Sequence, residues 1–408
     1  MPAARLLDLS RLVSRAGLGP ATGIDRVELA YLDRLLAEPE PLFALVRTTL
    51  GFVLLDQTGT AAVRDRLTGR AAWGQADLLG RLSQRHAPMR ARAESDLRRF
   101  CIGRARPAWL ARLLRRHLPV GTAYLNVGHS NLSPLVLDAV GRLPGRQITV
   151  MVHDTIPLDH PDLSRPDIPE RFAGQLKRVG AMADLVIYNS AQSQRDAERH
   201  FRGWGPVPDG VVAALGVEVP RPDPAALPAG LDLARPYFVT LGTIEPRKNL
   251  GFLLDLWEAM AADPPPQGLP RLFIVGRRGW AGQALFDRLD ALPKGGAVQV
   301  LGGLPDGAAA ALLQGAAGLL FPSLAEGYGL PPLEAAALGV PVVCNDLPIY
   351  RETLGDSAVY APITESYSWR KEIINLLAAY PDATQGNRRA GLTVPTWADH
   401  FGRVLTLT

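Results

Sequence analysis

At 408 residues the chain is too long for one ordinary core and fits two domains. Its content, 47% hydrophobic and 21% charged, is that of a globular protein and excludes a disordered one. The net charge of +4 rests on arginine, with very few lysines. No zinc-finger spacing, RNP-like aromatic motif or heptad-linked basic region accompanies it, which disfavours nucleic acid.

The two cysteines, Cys101 and Cys344, lie far apart. That speaks against a disulfide framework and for a reducing compartment. The N-terminus MPAARLLDLSRLVSRAG has no signal-peptide form. No apolar run reaches the roughly 20 residues of a membrane span. The expected location is the cytoplasm.

In chain order, Ala4–Leu9 reads as a first strand. A loop rich in Gly and Pro follows, from Gly17 to Gly23. Ile24–Leu36 then shows a helical apolar face, with Thr22 as its N-cap. Leu42–Thr49 and Phe52–Asp56 read as strands, paired as a hairpin through Gly51. From Arg81 to His117 arginines crowd the chain, opposed by Glu94 and Asp96 alone, and Trp109, Leu110, Leu113 and Leu114 share a face. Two readings stand here: a solvated arginine face, or a basic amphipathic helix lying on an anionic membrane surface.

Ala123–Val127 is a strand followed by Gly128-His129-Ser130 and a helix from Leu132 to Val140. Gln147–Val152 is another, ending in His153-Asp154-Thr155-Ile156-Pro157. His153 beside Asp154 has an acid–base reading. The pair equally suits a turn in which Asp154 caps the next segment. His129 reads as structural. Arg171–Met182 is a helix, Ala183–Tyr188 a strand, and Leu215-Gly216-Val217 closes the first domain. The prolines of 220–236 mark a linker.

The second domain opens with the strand Tyr237–Leu241, the turn Gly242–Asn249 carrying Arg247 and Lys248, and a helix from Leu250 to Met260. A forked guanidinium and a compact ammonium at a strand-to-helix turn suit phosphate oxygens. Arg271–Val275 ends at Gly276, and Val298–Leu301 is the next strand. Then comes FPSLAEGYGLPPLEAAALGVPVVCNDLP, residues 321–348. It sets Glu326 in a loop and Glu334 in a helix, with seven residues between them. The loop lies at the carboxyl end of a strand, where open α/β sheets bind ligands. Gly327 and Gly329 let a ligand approach the backbone. The helix start from Leu330 offers N–H groups and a positive dipole end to an anion, and the acids suit sugar hydroxyls. Glu365–Ala379 and Thr396–Leu405 read as closing helices.

The string E-G-Y-G-L-P-P-L-E with its trailing A-L-G-V-P-V-V resembles the E-x7-E signature of retaining GT-B glycosyltransferases, family 4. The turn around E-P-R-K-N is similar to one branch of that family. The resemblance is specific across the C-terminal half and looser before Gln147. It implies an α/β protein of GT-B fold, two doubly wound Rossmann-like domains facing across a cleft. Residues 1–222 would form the acceptor-side domain and 234–380 the nucleotide-sugar domain. Residues 381–408 would be a C-terminal helix crossing back toward the first.

It further implies a hexosyltransferase that moves a sugar, with mannose suggested by the family's common uses, from a nucleoside diphosphate sugar to a glycan or lipid-linked hydroxyl with retention. Surface polysaccharide synthesis is the expected setting. In that reading Glu326 faces the anomeric carbon, and His153, oriented by Asp154, touches the donor sugar. Arg247 and Lys248 stabilise the diphosphate with Tyr328, Gly329 and Leu330, and Glu334 takes the ribose hydroxyls. Gly276 lies near the base and Gly23 near the phosphates. The family's arginine position holds Thr243 here. Neither metal nor cofactor is expected beyond the donor.

Three other functions fit parts of the chain. One is a GT-B-fold epimerase or hydrolase. Another is a non-catalytic nucleotide-sugar-binding module. A dinucleotide oxidoreductase is disfavoured, because no G-x-G-x-x-G stands at a strand-to-helix turn.

Overall fold

The computed structural model describes residues 1–19, 21–384 and 391–408. The expected C-terminal segment from 381 therefore falls partly on residues 385–390, outside the described residues, as does Pro20 of the first loop. By its internal contacts the chain divides into two units. Unit 1 comprises Met1–His153, Glu170–Leu215 and Trp397–Thr408. Unit 2 comprises Asp154–Pro169 and Gly216–Thr396. Among the described residues no helix is long and apolar enough to cross a membrane.

The sheet of unit 1 is built from β1 (Ala4–Asp8), β2 (Leu42–Thr48), β3 (Gly51–Leu55), β4 (Gly103–Ala105), β5 (Thr122–Asn126), β6 (Gln147–Val152), β7 (Leu185–Tyr188) and β8 (Asp209–Val212). Their order is β4-β3-β2-β1-β5-β6-β7-β8. All pairs are parallel except those of β3, which runs against β2 and β4. The β2–β3 hairpin turns at Gly51, whose φ of 124° favours glycine. β1, β3, β5 and β7 are buried along their whole length, and β3 and β7 accordingly read as continuous apolar runs rather than alternating ones.

The arginine-rich stretch is not one amphipathic helix. It forms the helices Leu78–Ser83, Pro88–Phe100 and Leu110–His117, interrupted by β4. Of the apolar face read from the sequence, Leu110, Leu113 and Leu114 are buried in unit 1's own core, while Trp109 is exposed. Among its arginines, Arg99 holds buried Asp96 at 2.6 Å, as Arg66 does from outside the stretch, and Arg98 holds the more distant, half-buried Asp77.

At the other end of unit 1, the helix Trp397–Val404 is fixed by buried His400. Its Nε2 lies 2.7 Å from Tyr31 Oη, and its Nδ1 lies 3.1 Å from the Ala214 carbonyl. Arg5 donates to the Thr408 carbonyl at 3.2 Å.

Unit 2 carries a second, wholly parallel sheet of β9 (Tyr237–Leu241), β10 (Arg271–Val275), β11 (Val298–Leu301), β12 (Gly318–Phe321), β13 (Val342–Cys344) and β14 (Ala358–Tyr360). The order is β11-β10-β9-β12-β13-β14. The chain moves outward from β9 to one edge, returns, and moves outward from β12 to the other. The strand order thus reverses between β9 and β12, and a doubly wound sheet opens a crevice at such a point. Trp257, Phe238, Leu253, Ile274, Trp369 and Ile373 fill the core beneath.

Candidate functional site

The loops that leave β9 and β12 meet at the switch point of unit 2. After β9 the chain runs through Gly242 to the single helical turn Pro246–Lys248. Asn249 then takes a left-handed φ of 52° and starts the helix Leu250–Ala262. After β12 it runs through Ser323–Tyr328 to Gly329, whose φ is 88°, and into the helix Leu330–Ala337. Backbone bonds clamp one loop to the other: Leu324 N donates to Arg247 O at 2.7 Å. Asn345 donates to Ser323 O at 2.9 Å and braces the second loop from β13.

On this frame four charges are packed with little water. Glu326 receives Arg247 at 2.5 Å and also the Lys248 ammonium. Arg247 reaches Glu245 at 2.5 Å as well. The Lys248 nitrogen stands 4.3 Å from the centre of the Phe321 ring, a cation–π contact. Burial works against the Glu326 charge, but Arg247 and Lys248 outweigh it and hold the carboxyl down at about 2. Burial, then the neighbouring Arg247, lowers the Lys248 ammonium to about 8. Burial raises Glu245 above the usual carboxylate range, against the pull of Arg247 and Lys248. Arg247 and Lys248 are therefore a cation pair set against Glu326, with Glu245 on the far side of Arg247, a buried arrangement that is costly to assemble and is found where charge is wanted for function.

Glycines let these loops approach. A Cβ on Gly276 would lie 1.8 Å from Gly242 O, and one on Gly242 would lie 3.0 Å from Lys248 Cε. The backbone of Gly276 thus positions the loop beneath Lys248.

The residues expected from the E-x7-E string are placed as follows. Gly327, Tyr328 and Gly329 line the β12 loop, and Glu334 lies half-buried one turn into the helix. The helix start offers less to an anion than expected. Pro331 and Pro332 have no N–H, and Leu333 N bonds back to Gly329 O at 3.2 Å, so Leu330 supplies the N–H of the first turn.

His153 ends β6 in unit 1 and is buried. Its Nε2 donates to Val127 O at 2.7 Å, and its carbonyl accepts from Asn189 at 2.9 Å. Asp154 accepts from Ile156 N at 3.1 Å, which is the turn-capping role that its sequence neighbours allow. Its charge also supports the Arg247 guanidinium. His129 accepts from His153 N at 3.3 Å, and burial lowers it to about 4, so it is neutral. Gly23 is the first residue of a helix whose Thr22–Asp25 capping box closes the N-terminus.

Two features escape sequence reasoning. Glu245 and Phe321 open the E-P-R-K-N and 321–348 strings, but their contacts with the cations, an ion pair to Arg247 and a ring beneath Lys248, are made only by the fold. In unit 1, Asp25 and Glu28 gather around Arg11, and Asp8 lies near Glu28. Arg11 meets Glu28 at 3.1 Å and also Asp25, and Asp8 accepts from Asn131 at 2.7 Å. A Cβ on Gly128 would lie 2.3 Å from Glu28 Oε1.

Comparison with known proteins places this geometry. Residues 235–379 match the family described as glycosyl transferases group 1. The serotype-specific mannosyltransferase WbdA of Escherichia coli is 31% identical over 233 residues, 54% of this chain and 28% of that protein. The O-antigen chain mannosyltransferase B of Escherichia coli is 35% identical over 125 residues, 31% of this chain and 32% of that protein. The chain thus spans about a third of the length of these relatives. Among solved structures, Anabaena Alr3699/HepE in complex with UDP and glucose superposes with a TM-score of 0.60 at 17% identity, covering 100% of both chains. Residues 235–379 thus match the group 1 glycosyltransferases, the sequence is related to the O-antigen mannosyltransferases, and the fold is that of the GT-B glycosyltransferases.

Proposed function

We propose that this protein transfers a hexose, with mannose first in line, from a nucleoside diphosphate sugar to an acceptor hydroxyl. We further propose that the anomeric configuration is retained and that the product serves surface polysaccharide synthesis. The observation that carries the reading is the cation pair Arg247 and Lys248, held against Glu326 at the switch point of unit 2. A diphosphate leaving group develops negative charge as the glycosidic bond breaks. Preorganised cations in a dry site stabilise such charge strongly. In this reading the two cations neutralise the diphosphate in the place a metal would otherwise take.

In this reading the donor's diphosphate takes over the cations, with the Leu330 N–H and the loop of Gly327, Tyr328 and Gly329 beside it. Glu326, ionised at neutral pH, is then left facing the positive charge that forms at the anomeric carbon. Glu334 takes the ribose hydroxyls, and Gly276 lies near the base. His153 and Asp154 are assigned to positioning: both are tied into backbone hydrogen bonds, and Asp154 acts on Arg247 through its charge. Mannose as the sugar rests on the relatives alone. The expected acceptor is a glycan or lipid-linked hydroxyl, reached from the cytoplasmic side of the membrane.

The test is a thermal-shift titration with GDP, UDP and ADP in EDTA, followed by product analysis with the matching sugar donors. A nucleotide at a hundred times its dissociation constant adds about 2.7 kcal/mol of stability. The expected outcome is a shift with one nucleotide, absent in Lys248→Ala, and an α-linked product from an α-linked donor. Donor consumed without any acceptor would replace transfer by hydrolysis or epimerisation. No shift with any nucleotide would overturn the reading.

A further inference from the structure

The chain leaves unit 1 after His153, and the segment Asp154–Pro169 packs with unit 2 before the chain returns. Pro157, Pro161, Pro166 and Pro169 fix much of its backbone. The rest is a run of tight turns: Leu158 N donates to Thr155 O and His160 N to Ile156 O, both at 2.8 Å, and Leu163 N donates to His160 O at 3.0 Å. The buried Thr155 hydroxyl adds a bond to Asp159 at 2.5 Å. Built this way, the segment passes the position of one end on to the other.

Near the far end, Arg165 lies over the ring of Trp280, 5.3 Å from its centre. Among the described residues Arg165 forms no ion pair, so the indole is the group that holds it. Trp280 is 37% exposed, so the core does not fix it. The loop after β10 does. Ile244 N donates to Arg277 O at 2.9 Å, and Gly279 N donates to Ile244 O at 3.0 Å. A Cβ on Gly279 would lie 2.6 Å from Thr243 Cγ2, so a glycine is needed for so close an approach. Ile244 is followed by Glu245, the partner of Arg247. Trp280 therefore stands on a loop bonded to the turn that carries the cations.

We propose that Arg165 and Trp280 are positioning residues of the diphosphate site: their stack pins the segment Asp154–Pro169 to unit 2 and so sets Asp154 to act on Arg247. The proposal rests on the transfer reading. There the diphosphate takes the cations over from Glu326, and Arg247 has to keep its place when it loses that partner. Burial opposes the Arg247 charge, while Glu326, Glu245 and Asp154 support it. With Glu326 released, Glu245 and Asp154 remain. Glu245 belongs to the turn of Arg247 itself, whereas Asp154 arrives on a separate segment and needs its own fastening. The chemistry of the pin suits its place. A carboxylate at position 280 would also hold Arg165, but it would set a further negative charge beside the diphosphate. An indole face holds the cation without one.

The experiment follows hydrogen exchange of residues 154–169 and calorimetric titration with GDP, UDP and ADP in variants of the full chain. Trp280→Leu should speed exchange in that segment and weaken the nucleotide that binds about tenfold, with the melting temperature of the ligand-free protein unchanged. Arg165→Met should do the same. Trp280→Tyr, which keeps a ring face for Arg165, should restore both readouts. Asp154→Asn should weaken the nucleotide while exchange stays slow, and adding Trp280→Leu to it should cost no further affinity. Unchanged exchange in Trp280→Leu, failure of tyrosine to rescue, losses that multiply in the double variant, or tighter nucleotide binding by Asp154→Asn would each overturn the proposal. An unaltered protein that binds none of the three nucleotides would sink the transfer reading and the pin's role with it. Binding that is intact and equal in all variants would sink the pin alone.

Discussion

Lys248 is the residue on which the site's chemistry turns, and its protonation is within reach of ordinary buffers. Burial and Arg247 bring its ammonium down to about 8 in the ligand-free protein, while Glu326 resists. A diphosphate recognises only the charged form. Nucleotide affinity should therefore be flat at neutral pH and weaken as pH rises through about 8, approaching tenfold per pH unit. Lys248→Arg, whose guanidinium stays charged, should flatten the profile in calorimetric titrations. A flat profile in the unaltered protein would remove Lys248 from the phosphate site. Glu28 gives a contrasting case in unit 1. Burial raises it to about 8 from the usual 4.5, despite Arg11. The folded state thus holds a proton that the unfolded chain has lost. That contribution is full below about 4.5 and disappears as pH rises through 8. Glu28→Gln should leave stability near pH 4 little changed and raise it by at least ~1 kcal/mol at pH 9. Urea denaturation at the two pH values measures this, and equal stabilities at pH 9 would show that Glu28 is ionised without cost.

The two loops and the helices they start are where packing constrains the chemistry. Gly276 meets the Gly242 carbonyl so closely that a methyl group there must displace backbone, and Gly242 in turn underlies Lys248. Gly276→Ala should cost about 1–3 kcal/mol of stability, as overpacking does. It should weaken nucleotide binding more than Gly282→Ala, where a Cβ meets nothing within 4 Å. Equal nucleotide affinities in the two variants would show that the loop moves freely of the site. The element scale also shows what the sequence made legible. The E-x7-E string, the Lys248 turn and the apolar strands were readable because backbone chemistry writes them locally: glycines at left-handed turns, prolines at a helix start, buried parallel strands as unbroken apolar runs. The pairing of Glu326 with Lys248 joins residues 78 positions apart and is created by the strand order. The arginine stretch shows the same limit: its density left a solvated face and a membrane-lying basic helix both open, and a pair such as Arg98 with Asp77, 21 positions apart, emerges only in the fold.

At the scale of the whole molecule the chain crosses between its two units four times, at residues 153/154, 169/170, 215/216 and 396/397. Each unit has its own sheet, and the charged site with its loops lies within unit 2 alone. Two sheets with separate cores favour unfolding in more than one step, because a two-state transition is expected only of small single domains. The repeated crossings oppose this by tying the two unfolding events together. Nucleotide binding separates the contributions. A ligand stabilises only the states that bind it, so it should raise the transition belonging to unit 2 and leave the other behind. Calorimetry of the full chain should show two overlapping transitions that move apart as nucleotide is added, with the lower one unchanged. In Lys248→Ala neither should move. The Arg5→Ala variant provides the converse check. Arg5 is buried in β1, where it holds Glu40 at 2.5 Å and the Thr408 carbonyl, all within unit 1. Its loss should lower the transition that nucleotide does not raise, by less than the roughly 3–5 kcal/mol of a fully buried pair, since Glu40 lies at the surface edge. If nucleotide instead raised a single transition, and Arg5→Ala lowered that same one, the crossings would couple the units into one cooperative body, and donor binding would stabilise the whole chain.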